Sequence, residues 1–139
     1  MRPRWNTAVF ARAVELGTDQ ARLYLEYGRV LEAGGHSREA VGVLKTAAQL
    51  NRQGNDAHFE LAVALVQSGS YGDALREFEL VKKLPAEQAV RYFYNLAYAH
   101  YRLGDSAGAR KLLDKAAPFV KTDRDRTNID ELRAACCVN

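Results

Sequence analysis

The stretch YGRVLEAGGHSREAVGVLKTAAQL, residues 27–50, carries apolar residues at helical spacing on both sides of a Gly-Gly-His-Ser turn. Gly35 stands where the first helix must stop, a position that favours a residue able to take a positive φ. Ser37 offers a side-chain oxygen to the free N–H groups that open the second helix. The stretch therefore predicts two helices joined by a tight turn.

The same hairpin occurs twice more along the chain. The stretches LAVALVQSGSYGDALREFELVKKL (61–84) and LAYAHYRLGDSAGARKLLDKAAPF (96–119) align with the first one without a gap. The turn glycines follow one another at intervals of 34 and 35 residues, at Gly35, Gly69 and Gly104. Behind each glycine come an alanine and a large apolar residue, in the pairs Ala40 and Leu44, Ala74 and Phe78, and Ala109 and Leu113. A fixed period of this length predicts stacked copies of one helical unit.

Small residues predict a close approach of the two helices within each hairpin. We expect small residues of the first helices to face the alanines of the second helices, in the pairs Gly28 and Ala40, Ala62 and Ala74, and Ala97 and Ala109. Side-chain oxygens at Ser70 or Asp73, and at Asp105 or Ser106, are expected to cap the other two second helices.

Composition favours one domain that folds alone. With 139 residues, 47% of them hydrophobic and 27% charged, the chain can bury a core. A net charge of +3 gives no concentrated basic field, so neither nucleic acid nor a membrane surface is an expected partner. No apolar run approaches the roughly 20 residues of a membrane span, and Arg12 interrupts the apolar part of the N-terminus, unlike a secretory signal. We expect a cytoplasmic protein.

The repeats resemble the tetratricopeptide repeat, a helical hairpin of about 34 residues. The family pattern runs through a bulky residue, Leu-Gly or Leu-Ala, an aromatic or Leu, Gly, Ala, Phe, Ala and Pro. The matching residues of the three copies are Tyr24, Tyr27, Gly28, Leu31, Gly35, Ala40, Leu44 and Ala47; His58, Leu61, Ala62, Leu65, Gly69, Ala74, Phe78, Val81 and Pro85; and Phe93, Leu96, Ala97, His100, Gly104, Ala109, Leu113 and Ala116. His58 and His100 depart from the pattern, since they replace usual aromatic core residues.

The resemblance implies an all-α fold, an α-solenoid of antiparallel helical hairpins in a right-handed superhelix. Three full repeats at 21–54, 55–88 and 90–121 would form a single domain over 1–139. Residues 5–17 read either as the second helix of a partial repeat, which would make the chain a fragment of a longer array, or as an N-terminal capping helix. Residues 124–137 are expected to form a C-terminal capping helix.

Family members bind an extended or helical peptide in a concave groove lined by the first helices, and the resemblance implies the same here. The expected groove residues are Arg22, Leu25, Arg29, Phe59, Glu60, Val63, Val66, Arg91, Tyr94, Asn95, Tyr98, Tyr101 and Arg102. The spacing of Tyr94, Tyr98 and Tyr101 places them on one helical stripe, and tyrosines are frequent binding anchors. The alternative is that these rings pack against neighbouring helices.

Charge gives a further expectation about the ligand. Some family members hold a terminal carboxylate with a clamp of Lys, Asn, Asn, Lys and Arg, whereas the matching positions here are Leu25, Arg29, Glu60, Arg91 and Asn95. Glu60 would repel a carboxylate, which argues against that ligand class. The arginines at 22, 29, 91 and 102 can still attract an acidic or phosphorylated segment. The alternative is a solvated charged face balanced by glutamates 26, 32 and 60.

No residue spacing indicates an enzyme, a metal site or a cofactor. The three histidines match neither a zinc motif nor a nucleophile–base pair. Cys136 and Cys137 are adjacent and nearly terminal, so they cannot build a disulfide framework and fit a reducing compartment.

The sequence therefore predicts a protein–protein interaction module, a scaffold that holds a peptide segment of another protein. The alternative is a structural spacer or buttress in a larger multidomain protein, without a ligand of its own. Single-stranded RNA binding through Tyr and Arg is a third hypothesis, and it would require an affinity that falls steeply with salt. The oligomeric state stays open.

Overall fold

The computed structural model describes Ala8, Ala11, Arg12 and residues 21–138, so the expectation for residues 5–17 lies largely outside the described residues. Within 21–138 the chain forms seven α-helices and no β-strand. They are α1 (Ala21–Ala33), α2 (Ser37–Leu50), α3 (Asn55–Gln67), α4 (Tyr71–Glu79), α5 (Ala89–Arg102), α6 (Ser106–Ala116) and α7 (Asp123–Cys136). Short 3-10 turns at Ala86–Gln88 and Ala117–Phe119 precede α5 and follow α6.

The helices pair and stack in chain order. The hairpins are α1 with α2, α3 with α4, and α5 with α6, and successive hairpins touch through α2 and α3 and through α4 and α5. The first helices α1, α3 and α5 also contact one another in sequence, while α7 packs on α6 and α5. The predicted all-α solenoid is confirmed, and its first helices form a continuous row.

Each hairpin turns through the same glycine conformation. Gly35, Gly69 and Gly104 have φ values of +82°, +89° and +91°. In the first turn His36 N–H donates to the Leu31 carbonyl at 2.8 Å and Gly35 N–H donates to the Glu32 carbonyl at 3.0 Å. The other two turns repeat both hydrogen bonds. This pattern ends an α-helix with a residue in the left-handed region, where glycine alone avoids strain from a Cβ atom.

The core follows the repeat. The alanines at 40, 74 and 109 are fully buried, and the large residues behind them, Leu44, Phe78 and Leu113, are at most 1% exposed. In α3 the ten consecutive residues from 57 to 66 are all buried, because α1, α2, α4 and α5 surround that helix. On α7, Ile129, Leu132 and Cys136 cover the last hairpin.

Gly28 marks the tightest approach within a hairpin. A Cβ atom at Gly28 would lie 2.3 Å from Cδ2 and 2.4 Å from Cγ of Leu44, far inside van der Waals contact. The sequence pairs Gly28 with Ala40, whereas the atoms nearest to its missing side chain belong to Leu44. Glycine at 28 therefore makes room for the buried leucine of α2.

His58 takes an aromatic core position and uses it for hydrogen bonding. Its side chain is 9% exposed, with Nδ1 lying 2.9 Å from Oε1 of Glu77 on α4 and Nε2 lying 2.7 Å from the carbonyl of Arg52. Both oxygens are acceptors, so a ring nitrogen that carries a proton can donate to the oxygen beside it. The imidazole thus links the turn before α3 to the second helix of the same hairpin.

The predicted side-chain caps are only partly present. Asp105 Oδ1 accepts from the N–H of Gly108 at 2.8 Å and caps α6. Ser70 makes no side-chain cap on α4, and Ser37 instead donates to Oε1 of Gln67 at 3.1 Å. The expectation is wrong for α2 and α4, where the turns begin their second helices without a side-chain cap.

Replacing Gly28 by alanine is expected to destabilise the fold by a net of about 1–2 kcal/mol. Overpacking against Leu44 costs roughly 1–3 kcal/mol, and the higher helix propensity of alanine returns at most about 1 kcal/mol. Gly42→Ala is the matched control, since no atom lies within 4 Å of the new methyl group in the same hairpin. It should stabilise the fold by about 0.5–1 kcal/mol. Urea unfolding measures both, and equal effects would contradict the tight contact.

Replacing His58 by phenylalanine restores the aromatic residue usual in the repeat. We nevertheless expect the free energy of unfolding to fall by about 1–3 kcal/mol, because Glu77 and the Arg52 carbonyl lose their hydrogen-bonding partner. His100→Phe is the control, since His100 makes one bond, 3.0 Å from Nδ1 to Oδ2 of Asp105, at an exposed site. A smaller change is expected there. A His58→Phe variant as stable as the parent in urea unfolding would show that volume alone matters at this position.

Candidate functional site

Three adjoining hollows run along the first helices, and together we call them the groove. The charged hollow, of about 340 Å³, is lined by Arg29, Glu32, Ala33, Glu60, Gln67 and Arg91. The tyrosine hollow, of about 480 Å³, is lined by Gln67, Tyr71, Tyr94, Asn95, Tyr98 and Arg102 over Val66. The C-terminal hollow, of about 310 Å³, lies between α5 and α7 and includes Tyr94, Asn95, Arg124 and Asn128. Because neighbouring hollows share lining residues, they form one continuous surface.

Three expected groove residues of α3 lie in the core instead. Phe59, Val63 and Val66 are 4%, 1% and 5% exposed. The Phe59 ring is covered from α5, where the guanidinium of Arg91 lies 5.3 Å from its centroid and the ring of Tyr92 lies 5.9 Å away. The prediction that Phe59 and Val63 are open to a ligand is therefore corrected, whereas Val66 lies at the floor of the tyrosine hollow. Residues of the neighbouring helix form the surface above α3.

A charge network fills the charged hollow. Arg91 donates to both carboxylate oxygens of Glu60, at 2.9 and 2.8 Å, and Arg29 Nε donates to the same carboxylate at 3.4 Å. Arg29 also pairs with Glu26 at 2.7 Å, and Arg91 lies 3.6 Å from Glu32. Glu60, whose side chain is 8% exposed, thereby joins α1, α3 and α5. Burial favours a neutral Glu60, but the hydrogen bonds and charge of Arg91 outweigh it and lower the pKa of this carboxyl.

Glu32 is the neutral member of this network. Burial, a hydrogen bond to Glu60 and the negative charge of Glu60 together raise the pKa of Glu32 from 4.5 to about 9, against the opposing effect of Arg91 and Arg29. If Glu32 were ionised, its buried Oε1 atom would have no hydrogen-bond donor. A proton on Glu32, donated to Glu60, removes that mismatch. Two carboxyl groups therefore share the hollow with one negative charge.

Arg102 and two tyrosines organise the tyrosine hollow. The Arg102 guanidinium lies 5.2 Å from the ring centroid of Tyr71 and 5.8 Å from that of Tyr98, and it donates to the Tyr98 hydroxyl at 3.0 Å. The two rings meet edge to face, with centroids 6.1 Å apart. Such cation–π contacts orient a guanidinium without neutralising it.

The other expected groove residues of α5 lie in or beside the tyrosine hollow. Tyr94 and Asn95 line both the tyrosine and the C-terminal hollows, and the Asn95 amide donates to the Arg91 carbonyl at 2.8 Å. Tyr101 is half-buried and its ring leans on Tyr98, with centroids 6.3 Å apart. Each ring of the tyrosine stripe therefore packs on its neighbours and also keeps part of its surface open.

Arg22 and Leu25 do not join the groove as defined here. They line a separate hollow of about 200 Å³ between the start of α1 and the start of α3. In contrast, Tyr71 belongs to the groove although it lies on a second helix and was not expected there. Its position directly after the Gly69 turn, opposite the end of α5, is the signal that could have identified it.

Within residues 21–138 and the three described residues before them, no three His, Cys, Asp or Glu side chains gather as a metal site would require. In that same part of the chain, no helix combines the length and apolar character of a membrane span. Cys136 is buried and Cys137 is exposed, and both are free thiols.

Comparison with known proteins adds a family and a set of similar folds. Residues 25–89 and 79–125 match the profile of a family described as tetratricopeptide repeat. No curated protein sequence matches the chain. Among solved structures it is similar to YrrB, described as a TPR protein with an unusual peptide-binding site, at a TM-score of 0.76 and 23% identity over 92% of this chain. The chain spans 64% of the YrrB chain.

Two further structures show the same fold. MamA aligns with a TM-score of 0.73 and 16% identity, over 94% of this chain and 80% of its own. The Yersinia enterocolitica type III secretion chaperone SycD, solved in complex with a peptide of the translocator YopD, aligns with a TM-score of 0.69 and 15% identity, over 88% of this chain and 95% of its own. At these identities the likeness concerns the fold alone.

Replacing Glu32 by glutamine is expected to change how stability depends on pH. Between about pH 4.5 and 9, Glu32 keeps its proton in the folded protein and has lost it in the unfolded chain. The contribution of Glu32 to the free energy of unfolding is therefore fully present below pH 4.5 and is lost as the pH rises towards 9. Glutamine donates to Glu60 at every pH. Relative to the parent, the free energy of unfolding of the variant should therefore rise by up to about 1.4 kcal/mol per pH unit between pH 5 and 8. Urea unfolding measures this difference, and Glu39→Gln, at a side chain 67% exposed, serves as control. A flat difference for Glu32→Gln would contradict a neutral Glu32.

Proposed function

The chain belongs to the tetratricopeptide repeat family, and we propose that it is a protein-interaction module which binds an extended or helical segment of a partner protein in the groove. The observation that carries the proposal is the tyrosine hollow, where Tyr94 and Tyr98 keep part of their rings open beside a chain of connected hollows. Tyrosine offers a broad apolar face and a hydroxyl at little cost in rotamer entropy.

The similar folds support this proposal. The printed descriptions of YrrB and of SycD both refer to peptide binding, and each aligns with most of this chain. Peptide binding comes to this chain as a proposal, along with the groove residues that would perform it: Arg29, Arg91, Tyr94, Asn95, Tyr98, Tyr101 and Arg102, joined by Tyr71. Arg22 and Leu25 would serve a longer ligand that extends past the charged hollow.

A structural spacer is the second candidate, and the charge network favours it. Glu60 is fully engaged by arginines from both neighbouring hairpins, as expected where a stack is held rigid rather than opened to a ligand. The two candidates differ at the tyrosine hollow, which a spacer would not need. For the compartment, we propose the cytoplasm, since two adjacent free cysteines suit a reducing environment.

Replacing Tyr98 by alanine is expected to weaken peptide binding at least about tenfold, because a truncated aromatic anchor removes both contact area and a hydroxyl. The ligands are peptides selected from a random phage-displayed library on the parent protein, and isothermal titration calorimetry measures their affinity. Phe119→Ala, at an aromatic residue 38% exposed outside the groove, is the control. Circular dichroism verifies that both variants fold. Selection of no peptide, or equal affinity for both variants, would count against groove binding and for a spacer.

A further inference from the structure

We infer that the groove selects a partner segment in which an Asp or Glu side chain stands beside an apolar residue, and that Arg102 pairs with this carboxylate. The inference rests on the proposed peptide binding and adds the chemical class of the segment. It concerns a side-chain carboxylate at the end of α5, bound by Arg102, a residue that is not among the positions that match the terminal-carboxylate clamp.

The arginines of the groove differ in how far they are already paired. Arg29 is bound by Glu26 and Glu60, and Arg91 is bound by both oxygens of Glu60. An incoming anion would have to displace a buried carboxylate from them, at a cost of several kcal/mol for an uncompensated charge. These two arginines are therefore structural and offer an acidic ligand little.

Among the arginines that line the charged and tyrosine hollows, Arg102 is the exception. It is exposed, and no Asp or Glu of residues 21–138 forms an ion pair with it. Its guanidinium has five N–H donors, and its one hydrogen bond there goes to the Tyr98 hydroxyl. The remaining donors are free to take a carboxylate, a group whose two oxygens match the fork of a guanidinium.

The guanidinium of Arg102 is already positioned by its neighbours. Contact with the rings of Tyr71 and Tyr98 holds its plane at the wall of the tyrosine hollow. An oriented side chain loses less rotamer entropy on pairing than a free surface arginine does. Tyr94 and Tyr98 are half-buried in the same hollow and leave apolar ring surface open. A segment that fits both features carries an acidic residue with an apolar neighbour.

The charge of the tyrosine hollow favours a carboxylate over a phosphate. A phosphorylated residue carries a charge of about −1.5 to −2 and is typically held by a cluster of arginines. The tyrosine hollow provides one guanidinium that is not neutralised, since Arg91 is engaged by Glu60. One positive charge suits one carboxylate.

Peptide selection tests the inference by charge reversal. Random peptides displayed on phage are selected on the parent protein, on Arg102→Glu and on Arg38→Glu, whose arginine is exposed on α2 outside the groove. We expect enrichment of Asp and Glu on the parent and on Arg38→Glu, and of Lys and Arg on Arg102→Glu. Selected peptides without acidic enrichment, or with the same enrichment on Arg102→Glu, would overturn the inference while leaving peptide binding intact. A parent protein that selects no peptide would overturn the proposed function itself.

A double-mutant cycle measures the pair directly. With a selected peptide, Arg102→Gln should weaken binding about three- to tenfold, and changing the peptide's acidic residue to its amide should do the same. The two changes together should weaken binding little more than either alone. Additive effects would overturn the pairing, and tighter binding of a phosphoserine peptide than of the glutamate peptide would overturn the choice of a carboxylate.

Discussion

The close approach of the two helices in each hairpin is the constraint on which the rest of the structure depends. Alanines with no exposed surface, and at one position a glycine pressed against Leu44, allow the backbones to come together. The two helices of each pair are joined by a turn whose glycine takes a positive φ, so the three turns share one conformation. Hairpins that turn in the same way stack in chain order, and their first helices form a row. The groove is a consequence of that row.

A charge network joins the first helices in addition to their apolar contacts. Glu60 of α3 is bound from α5 by Arg91 and from α1 by Arg29, while Glu32 stays neutral beside it. Burying charged groups is costly unless each is paired and hydrogen-bonded, and these groups satisfy that condition when one proton is retained. The same pairing decides which arginines are available for recognition. Arginines that look equivalent in the sequence therefore differ in the structure, where some are held in ion pairs and others are free to bind a ligand.

The sequence alone predicts the hairpins, the turn glycines and the buried alanines, because each of these depends on a local pattern that repeats. The groove was harder to predict, because it depends on how side chains of adjacent hairpins cover one another. Phe59 has the helical position of a groove residue but is covered by Arg91 and Tyr92. Tyr71 lies on a second helix yet reaches the groove across the turn. Periodicity fixes the face of a helix on which a residue lies, whereas contacts between hairpins decide its exposure.

The burial of residues 57–66 of α3 separates two kinds of selective pressure on the chain. These residues have almost no accessible surface, so a substitution there is judged by packing and, at His58 and Glu60, by the hydrogen bonds that the buried side chain makes. In the proposed function, recognition belongs instead to side chains of α4 and α5 that lie above this helix, such as Tyr71, Tyr98 and Arg102. A lineage carrying this architecture would then acquire new ligand preferences at those positions while its central helix stays unaltered, which would give the domain capacity for evolutionary diversification.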